Sequence, residues 1–354
     1  MVDTQKISVQ RVALSRIREV DFKKIGFGSV YTDHMFMADF VEGEWKDWRI
    51  MPYGYFQMSP ANPTLHYGHS VFEGMKAFKN EDGEALLFRP RTHWSRMNIS
   101  AERLCMTNIP EDLFMEGITS LISLDREWIP SEEGASLYIR PLLFSADEYI
   151  GVRPSRDFTF MVILSPVGVY YSTPVKVVIE KEYSRSVAGG TGFAKAGGNY
   201  AGALYPTIKA NKKGYHQLIW TDGQTHQYIE ESGTMNVMFV IDNVLITPSL
   251  GDTILAGITR DSVLALARHW NMTVEERRVS VKELVTVLEN GRVQEAFGTG
   301  TAATIAHIEV ISHEGKDYTL PPFNTRTFAN KVLTELEGIK RGSLPDPFAW
   351  IEKV

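Results

Sequence analysis

After a polar lead-in over residues 1–25, apolar positions alternate from Tyr31 to Val41, which predicts a strand. Glu42-Gly43-Glu44-Trp45 closes it with a turn, and Trp48 to Pro60 is mixed, with prolines inside and at its end. Leu65 to Phe78 predicts a short helix running on into a strand; Asn80-Glu81-Asp82-Gly83 is a turn, and Ala85 to Phe88 a short strand. From Arg91 to Cys105 the rhythm is helical, with Trp94, Met97, Ile99, Ala101 and Leu104 on one broad face. Pro110-Glu111-Asp112 starts a second helix, Leu113 to Glu127, since proline and acids suit a first turn. Leu137 to Phe144 reads as a strand interrupted at Pro141, because proline cannot donate to a ladder, and Phe158 to Leu164 reads as another strand.

Glycine and prolines between Pro166 and Pro174 break the periodicity and suggest a linker. The second half then predicts strands at Val175–Glu180, Gln217–Thr221, Tyr228–Glu231 and Asn236–Ile241, the last turning at Asp242-Asn243 into Val244–Thr247 as a hairpin. Tyr200–Ala210, Thr259–Trp270, Ser280–Asn290 and Phe323–Ile339 read as helices, and Val293–Phe297 as a strand. The fold class expected is α+β: a small domain over residues 1–168, an interdomain loop at 169–174 and a larger domain over 175–354.

At 354 residues and 39.9 kDa there is room for two domains, and 44% hydrophobic with 23% charged residues suits a soluble globular chain. The net charge of -6 argues against nucleic acid as a main partner. A lone Cys105 excludes an internal disulfide framework and fits a reducing compartment, so a cytoplasmic location is expected. The N-terminal stretch has no continuous apolar core of a secretory signal. The longest apolar run, Phe158–Tyr171, is broken by Ser165, Pro166 and Gly168 and is too short to span a bilayer. No Walker loop, paired CxxC, HExxH or dinucleotide fingerprint occurs, and no metal is expected.

One stretch concentrates candidate chemistry: Thr191-Gly192-Phe193-Ala194-Lys195-Ala196-Gly197-Gly198-Asn199-Tyr200. A lysine among small residues can lose its proton and attack an aldehyde, the protein's half of pyridoxal phosphate chemistry; a solvated loop lysine is the other reading. Glu231, in Ile229-Glu230-Glu231-Ser232-Gly233-Thr234-Met235-Asn236, could keep a cofactor's ring nitrogen protonated, or belong to an acidic loop. Leu255-Ala256-Gly257-Ile258-Thr259-Arg260 leads straight into a helix whose amides could bind phosphate. Phe297-Gly298-Thr299-Gly300-Thr301-Ala302-Ala303 offers amides and hydroxyls, although either segment could be a turn with an N-cap. Arg96 could clamp the phosphate or lie on the surface.

In order, LHYxxxxFEGMKAF, FRP, SLYIRP, KAGGNY, ESGTMN, LAGITR and FGTGTAA make the chain resemble the branched-chain-amino-acid aminotransferases, pyridoxal phosphate enzymes of fold type IV, from Phe27-Gly28 to about Ala303. The resemblance implies a small α/β sandwich-like domain and a larger pseudo-barrel, with the cofactor between them, and homodimers or assemblies of dimers. It implies transfer of the amino group of leucine, isoleucine or valine to 2-oxoglutarate; D-amino-acid or amine transaminases and aminodeoxychorismate lyase share the fold and are the alternatives. By position it makes Lys195 the Schiff-base lysine and proton shuttle, Tyr200 the partner of the ring hydroxyl and Glu231 the partner of the ring nitrogen. Arg96, Ile258, Thr259 and Thr301 would hold the phosphate. Phe27, Tyr67, Phe72, Tyr138, Arg140, Tyr170, Thr234 and Ala302 would line the substrate pocket, with Val152 reaching toward the partner subunit. The redox CxxC of vertebrate relatives is replaced by Ala303 and Ala306, so thiol regulation there is excluded.

Overall fold

Leu113, Phe114, Ile118, Leu121 and Ile122 recur at helical spacing in the helix Glu111–Leu124, and that stripe lies buried against a sheet. The computed structural model describes residues 7–132, 134–168 and 173–354. Contacts divide the chain into two compact units. The first comprises Met1–Tyr170, Ala194–Gly198 and Gly338–Val354; the second comprises Tyr171–Phe193 and Asn199–Glu337. Tyr170, assigned by sequence to the substrate pocket, and residues 169–172 of the expected loop lie outside the described residues.

The first unit holds β1 (Ser8–Val9), β2 (His34–Val41), β3 (Glu44–Pro52), α1 (Pro63–Tyr67), β4 (Ser70–Phe72), β5 (Met75–Lys79) and β6 (Ala85–Phe88). α2 (Pro90–Arg103), α3 (Glu111–Leu124), β7 (Ser136–Ser145) and β8 (Phe158–Val167) follow. The strands form one sheet in the order β1-β3-β2-β8-β7-β5-β6, extended by the C-terminal strand Ile351–Lys353, with β4 also on β7. Phe36, Ala38, Ile139, Phe160 and Val162 pack on one face with Met97 of α2 and Phe114 and Ile118 of α3. Met35, Met37, Phe144 and Met161 form a separate cluster.

Three sequence expectations change here. Glu44 and Trp45 of the expected turn and the start of the mixed stretch, Trp48 to Pro52, belong to strand β3, paired along β2, while the rest of that stretch up to Pro60 lies outside any strand. β7 runs through Pro141 instead of stopping. On the side where a proline N–H is missing, the neighbouring chain passes from β4 to β5, so no regular ladder bond is lost; Glu73 N donates to Pro141 O at 2.9 Å across this break. The inner face of α2 is polar as well as apolar: His93, Arg96 and Ser100 are buried beside Met97 and Ala101, while Ile99 is exposed.

The second unit holds β9 (Val175–Ile179), α4 (Gly197–Asn211), β10 (Gln217–Thr221), β11 (Tyr228–Ser232), β12 (Met235–Ile241), β13 (Val244–Thr247), α5 (Ile258–His269), β14 (Val274–Glu276) and β15 (Val279–Ser280). It continues with α6 (Val281–Glu289), β16 (Val293–Gly300), β17 (Thr304–His313), β18 (Lys316–Thr319) and α7 (Phe328–Lys340); α4 and α7 each contribute a few residues to the first unit. The pairings β12–β16–β17–β9–β10–β11 return to β12 and close a six-stranded ring. That is the pseudo-barrel of fold type IV, and the α+β class holds. Its apolar cluster joins Val177, Ile219, Val237, Phe239 and Ile308 to Leu284 and Val287 of α6.

The units do not follow a single cut of the sequence. The C-terminal strand Ile351–Lys353 pairs with β6, and Lys195, placed by sequence within 175–354, belongs by its contacts to the first unit. Both are long-range pairings, which local composition does not encode.

Candidate functional site

Within the first unit, the Lys195 segment is fixed through its backbone. Its N–H donates to Ser100 Oγ at 2.9 Å, its carbonyl accepts from Phe72 N at 3.0 Å, and Ala196 bridges to Val71. Ala194 and Ala196 are buried, so larger side chains there would meet packed neighbours. Lys195 Nζ lies 4.9 Å from the Phe72 ring centroid.

The Arg140 guanidinium lies 4.5 Å from the same ring, and its Nη2 donates to Tyr138 Oη at 2.9 Å. The Phe27 ring meets Tyr138 edge-on at 4.9 Å. Tyr138 and Arg140 stand two apart on β7 and so share a face, while Ile139 points into the core. Gly74 admits this: a Cβ there would overlap the Tyr138 hydroxyl. Lys195, Phe72, Arg140, Tyr138 and Phe27 therefore form one contact chain. Tyr67 makes a different contact, its hydroxyl donating to Ile150 O, and Val152 is 90% exposed.

Arg96 is no surface residue. Its Nε and Nη2 donate to the two oxygens of Glu73 at 2.7 and 2.8 Å, and His93 Nδ1 reaches Glu73 Oε2 at 2.7 Å. Burial opposes ionisation of Glu73, but Arg96 and the His93 contact outweigh it and hold the carboxyl well below the usual range. Burial, with Arg96 and Lys195 nearby, pushes His93 down against the pull of Glu73, so the ring is neutral at pH 7. Sequence reasoning passed over Glu73 and His93. The signal available was a charged residue inside FEGMKAF and a histidine one helical turn before Arg96.

In the second unit, Glu231 on β11 lies opposite Asn236 on β12, which lies opposite Thr299 on β16. The register of β11 slips by one residue between Ile229 and Ser232; Ile229 remains in the core while Glu231 joins this polar row. Glu231 Oε1 accepts from Asn236 Nδ2 and from Leu255 N, both at 3.1 Å, and Oε2 is 2.7 Å from Arg185 Nε. Arg185 is itself tied down, through Nη2, to the Gly192 and Thr253 carbonyls. Neither Arg185 nor Asn236 was assigned a role from sequence, although Asn236 ends the ESGTMN motif.

Asn236 Nδ2 also donates to Leu255 O at 2.9 Å, which draws the segment before α5 toward β12. Gly257 stands at the N-cap, and a Cβ there would overlap Asn236 Oδ1. α5 thus begins at Ile258 and Thr259, both buried, behind a cap residue with no side chain to bond its amides. Tyr200 is half-buried in the first turn of α4, and Thr234 is exposed in the turn between β11 and β12. Thr301 and Ala302 occupy the turn joining β16 to β17.

These features fit pyridoxal phosphate. In the first unit Lys195 supplies an amine beside an aromatic ring; in the second, Glu231 is a buried carboxylate held by two donors and ion-paired with Arg185, and α5 has a glycine-capped start of the kind that binds phosphate.

A family model described as "Amino-transferase class IV" matches residues 70–311. The chain is 42% identical to the Branched-chain-amino-acid aminotransferase 2 of Bacillus subtilis (strain 168) over 338 residues, covering 94% of this chain and 93% of that relative. It superposes on the branched-chain amino acid aminotransferase of Escherichia coli with a TM-score of 0.74 at 26% identity, covering 90% of this chain and 98% of that one. It shares its fold with the branched-chain amino acid aminotransferase of Thermobaculum terrenum, solved in its PLP-form, at a TM-score of 0.70 and 22% identity, covering 90% and 97%.

Proposed function

Because the chain belongs to the class IV aminotransferases, and within them to the branched-chain-amino-acid aminotransferases, we propose that it moves the amino group of L-leucine, L-isoleucine or L-valine to 2-oxoglutarate by a ping-pong cycle on pyridoxal 5'-phosphate. When bound, that cofactor supplies an electron sink for the bond being broken. The observation that carries the reading is the fixed backbone of Lys195, pinned at both N–H and C=O beside Phe72.

Lys195 Nζ anchors the cofactor and takes the substrate's Cα proton. Glu231, held by Asn236, Leu255 and Arg185, keeps a fixed negative charge for the ring nitrogen. Tyr200 serves the ring hydroxyl. Arg96, the amides of Ile258 and Thr259, and Thr301 hold the phosphate. Phe27, Phe72, Tyr67, Tyr138 and Thr234 shape the pocket for an alkyl side chain. Arg140, already hydrogen-bonded to Tyr138 and stacked on Phe72, receives the γ-carboxylate of glutamate. The substrate α-carboxylate rests on the Thr301-Ala302 amides.

The working unit in this reading is a homodimer or an assembly of dimers, with the exposed Val152 reaching toward the partner copy. One cysteine in 354 residues suits a reducing compartment, and the proposed site of action is the cytoplasm. Among the described residues no helix is long and apolar enough to cross a membrane.

The test is a single-turnover panel of L- and D-amino acids against the cofactor-loaded protein. L-Leucine, L-isoleucine and L-valine should bleach the visible band, and 2-oxoglutarate should restore it. Reaction with D-amino acids or simple amines alone would overturn the reading.

A further inference from the structure

Glu73 is a carboxylate with no exposed surface, sitting where β4 gives way to β5. A buried ion pair of this kind adds little net stability, because desolvation offsets the attraction, and apolar residues of similar volume would serve packing as well. Its geometry is more specific than packing needs. Glu73 takes the Nε and Nη2 edge of Arg96 side-on, at 2.7 and 2.8 Å, which fixes both the position and the plane of the guanidinium.

Two further contacts hold the arrangement. His93 Nδ1 reaches Glu73 Oε2 at 2.7 Å, so the carboxylate cannot swing with the arginine. His93, Arg96 and Ser100 are spaced three and four apart on the buried face of α2, and Ser100 Oγ accepts from Lys195 N at 2.9 Å. One helix face therefore sets both the guanidinium and the backbone of the lysine.

We propose that Glu73, braced by His93, is a positioning residue for cofactor phosphate: it does not touch the cofactor but presents Arg96 in the orientation that binds it. This rests on the reading that Arg96 holds the phosphate. Positioning and simple charge predict opposite signs. If Glu73 acted only as a charge, neutralising it would leave more positive potential at Arg96 and tighten phosphate binding. If it orients Arg96, neutralising it weakens that binding.

The experiment compares the affinity of the full-length apoprotein for pyridoxal 5'-phosphate and for pyridoxal, which lacks the phosphate, read by the absorbance of the cofactor–lysine adduct. The variants are Glu73→Gln, Arg96→Met and the two combined, with thermal melts alongside. Glu73→Gln should weaken pyridoxal 5'-phosphate about tenfold or more while leaving pyridoxal nearly unchanged. The double variant should discriminate between the two ligands no worse than Arg96→Met alone, since Glu73 acts through that residue. Equal losses for both ligands, unchanged or tighter phosphate binding, or a further loss in the double variant would overturn the proposal. Should Glu73→Gln not fold, Glu73→Asp, which keeps the charge but is too short to hold both guanidinium nitrogens, takes its place: a loss confined to pyridoxal 5'-phosphate is expected, and unchanged or tighter phosphate binding would overturn the proposal. If Arg96→Met itself leaves the preference for phosphate intact, the reading of Arg96 has failed and not only the role of Glu73.

Discussion

Asn236 and Glu231 face each other on neighbouring strands, and Asn236 Nδ2 donates to Glu231 Oε1 at 3.1 Å and to Leu255 O at 2.9 Å. One amide thus orients the carboxylate on β11 and anchors the segment that starts α5. Asn236→Ala should slow the proton-transfer half-reaction. It should also lower stability by about 1–3 kcal/mol, because it leaves buried acceptors short of a donor. Single-turnover rates and urea melts check the two effects separately. A change in stability alone would confine Asn236 to the fold.

Lys195→Ala should abolish turnover while some cofactor affinity remains. The backbone bonds of residue 195 to Ser100 and Phe72 survive the substitution, so the segment keeps its place. Near-normal transamination by this variant would remove Lys195 from the chemistry.

Gly257→Ala places a methyl group against Asn236 Oδ1. Asn236 must turn away or α5 must shift, and either disturbs Glu231 and the amides of Ile258 and Thr259 together. The expected result is weaker cofactor binding and a destabilisation of about 1–3 kcal/mol. Gly198→Ala, where a Cβ meets nothing within 4 Å, is the control for a methyl group added elsewhere.

Arg140→Met should reduce kcat/KM for L-glutamate more than for L-leucine, by about 1–3 kcal/mol for a charge-assisted hydrogen bond. The guanidinium is 4.5 Å from the Phe72 ring, so an apolar replacement keeps that packing. Equal losses for the two substrates would mean that Arg140 shapes the pocket without reading the carboxylate.

Burial, reinforced by the charge of Arg326, lowers the pKa of His307 from 6.5 to about 4. Between these values the unfolded chain binds the proton and the folded chain does not, so the stability associated with neutral His307 is complete above about 6.5 and declines as pH falls toward 4. His307→Leu should flatten this part of the stability profile, measured by urea unfolding between pH 7.5 and pH 4. An unchanged slope would assign the acid sensitivity to other groups.

By itself the sequence determined the family resemblance and most of the elements. The α3 stripe was legible because helical periodicity is local, and the LAGITR segment was legible because a glycine before a helix is a local signal. The ordered motifs singled out Lys195, Glu231 and Arg96 as candidates without coordinates. Tertiary structure decided what surrounds them. Pro141 ends a strand when only its own N–H is considered, yet β7 continues because the neighbouring chain breaks at the same level. The polar face of α2 has no meaning until Glu73, twenty-three residues before Arg96, arrives beneath it. Arg185 and Asn236 converge on Glu231 from separate segments, and the chain's last strand returns to β6. Each depends on which distant backbone lies alongside, and that is settled by global pairing and burial.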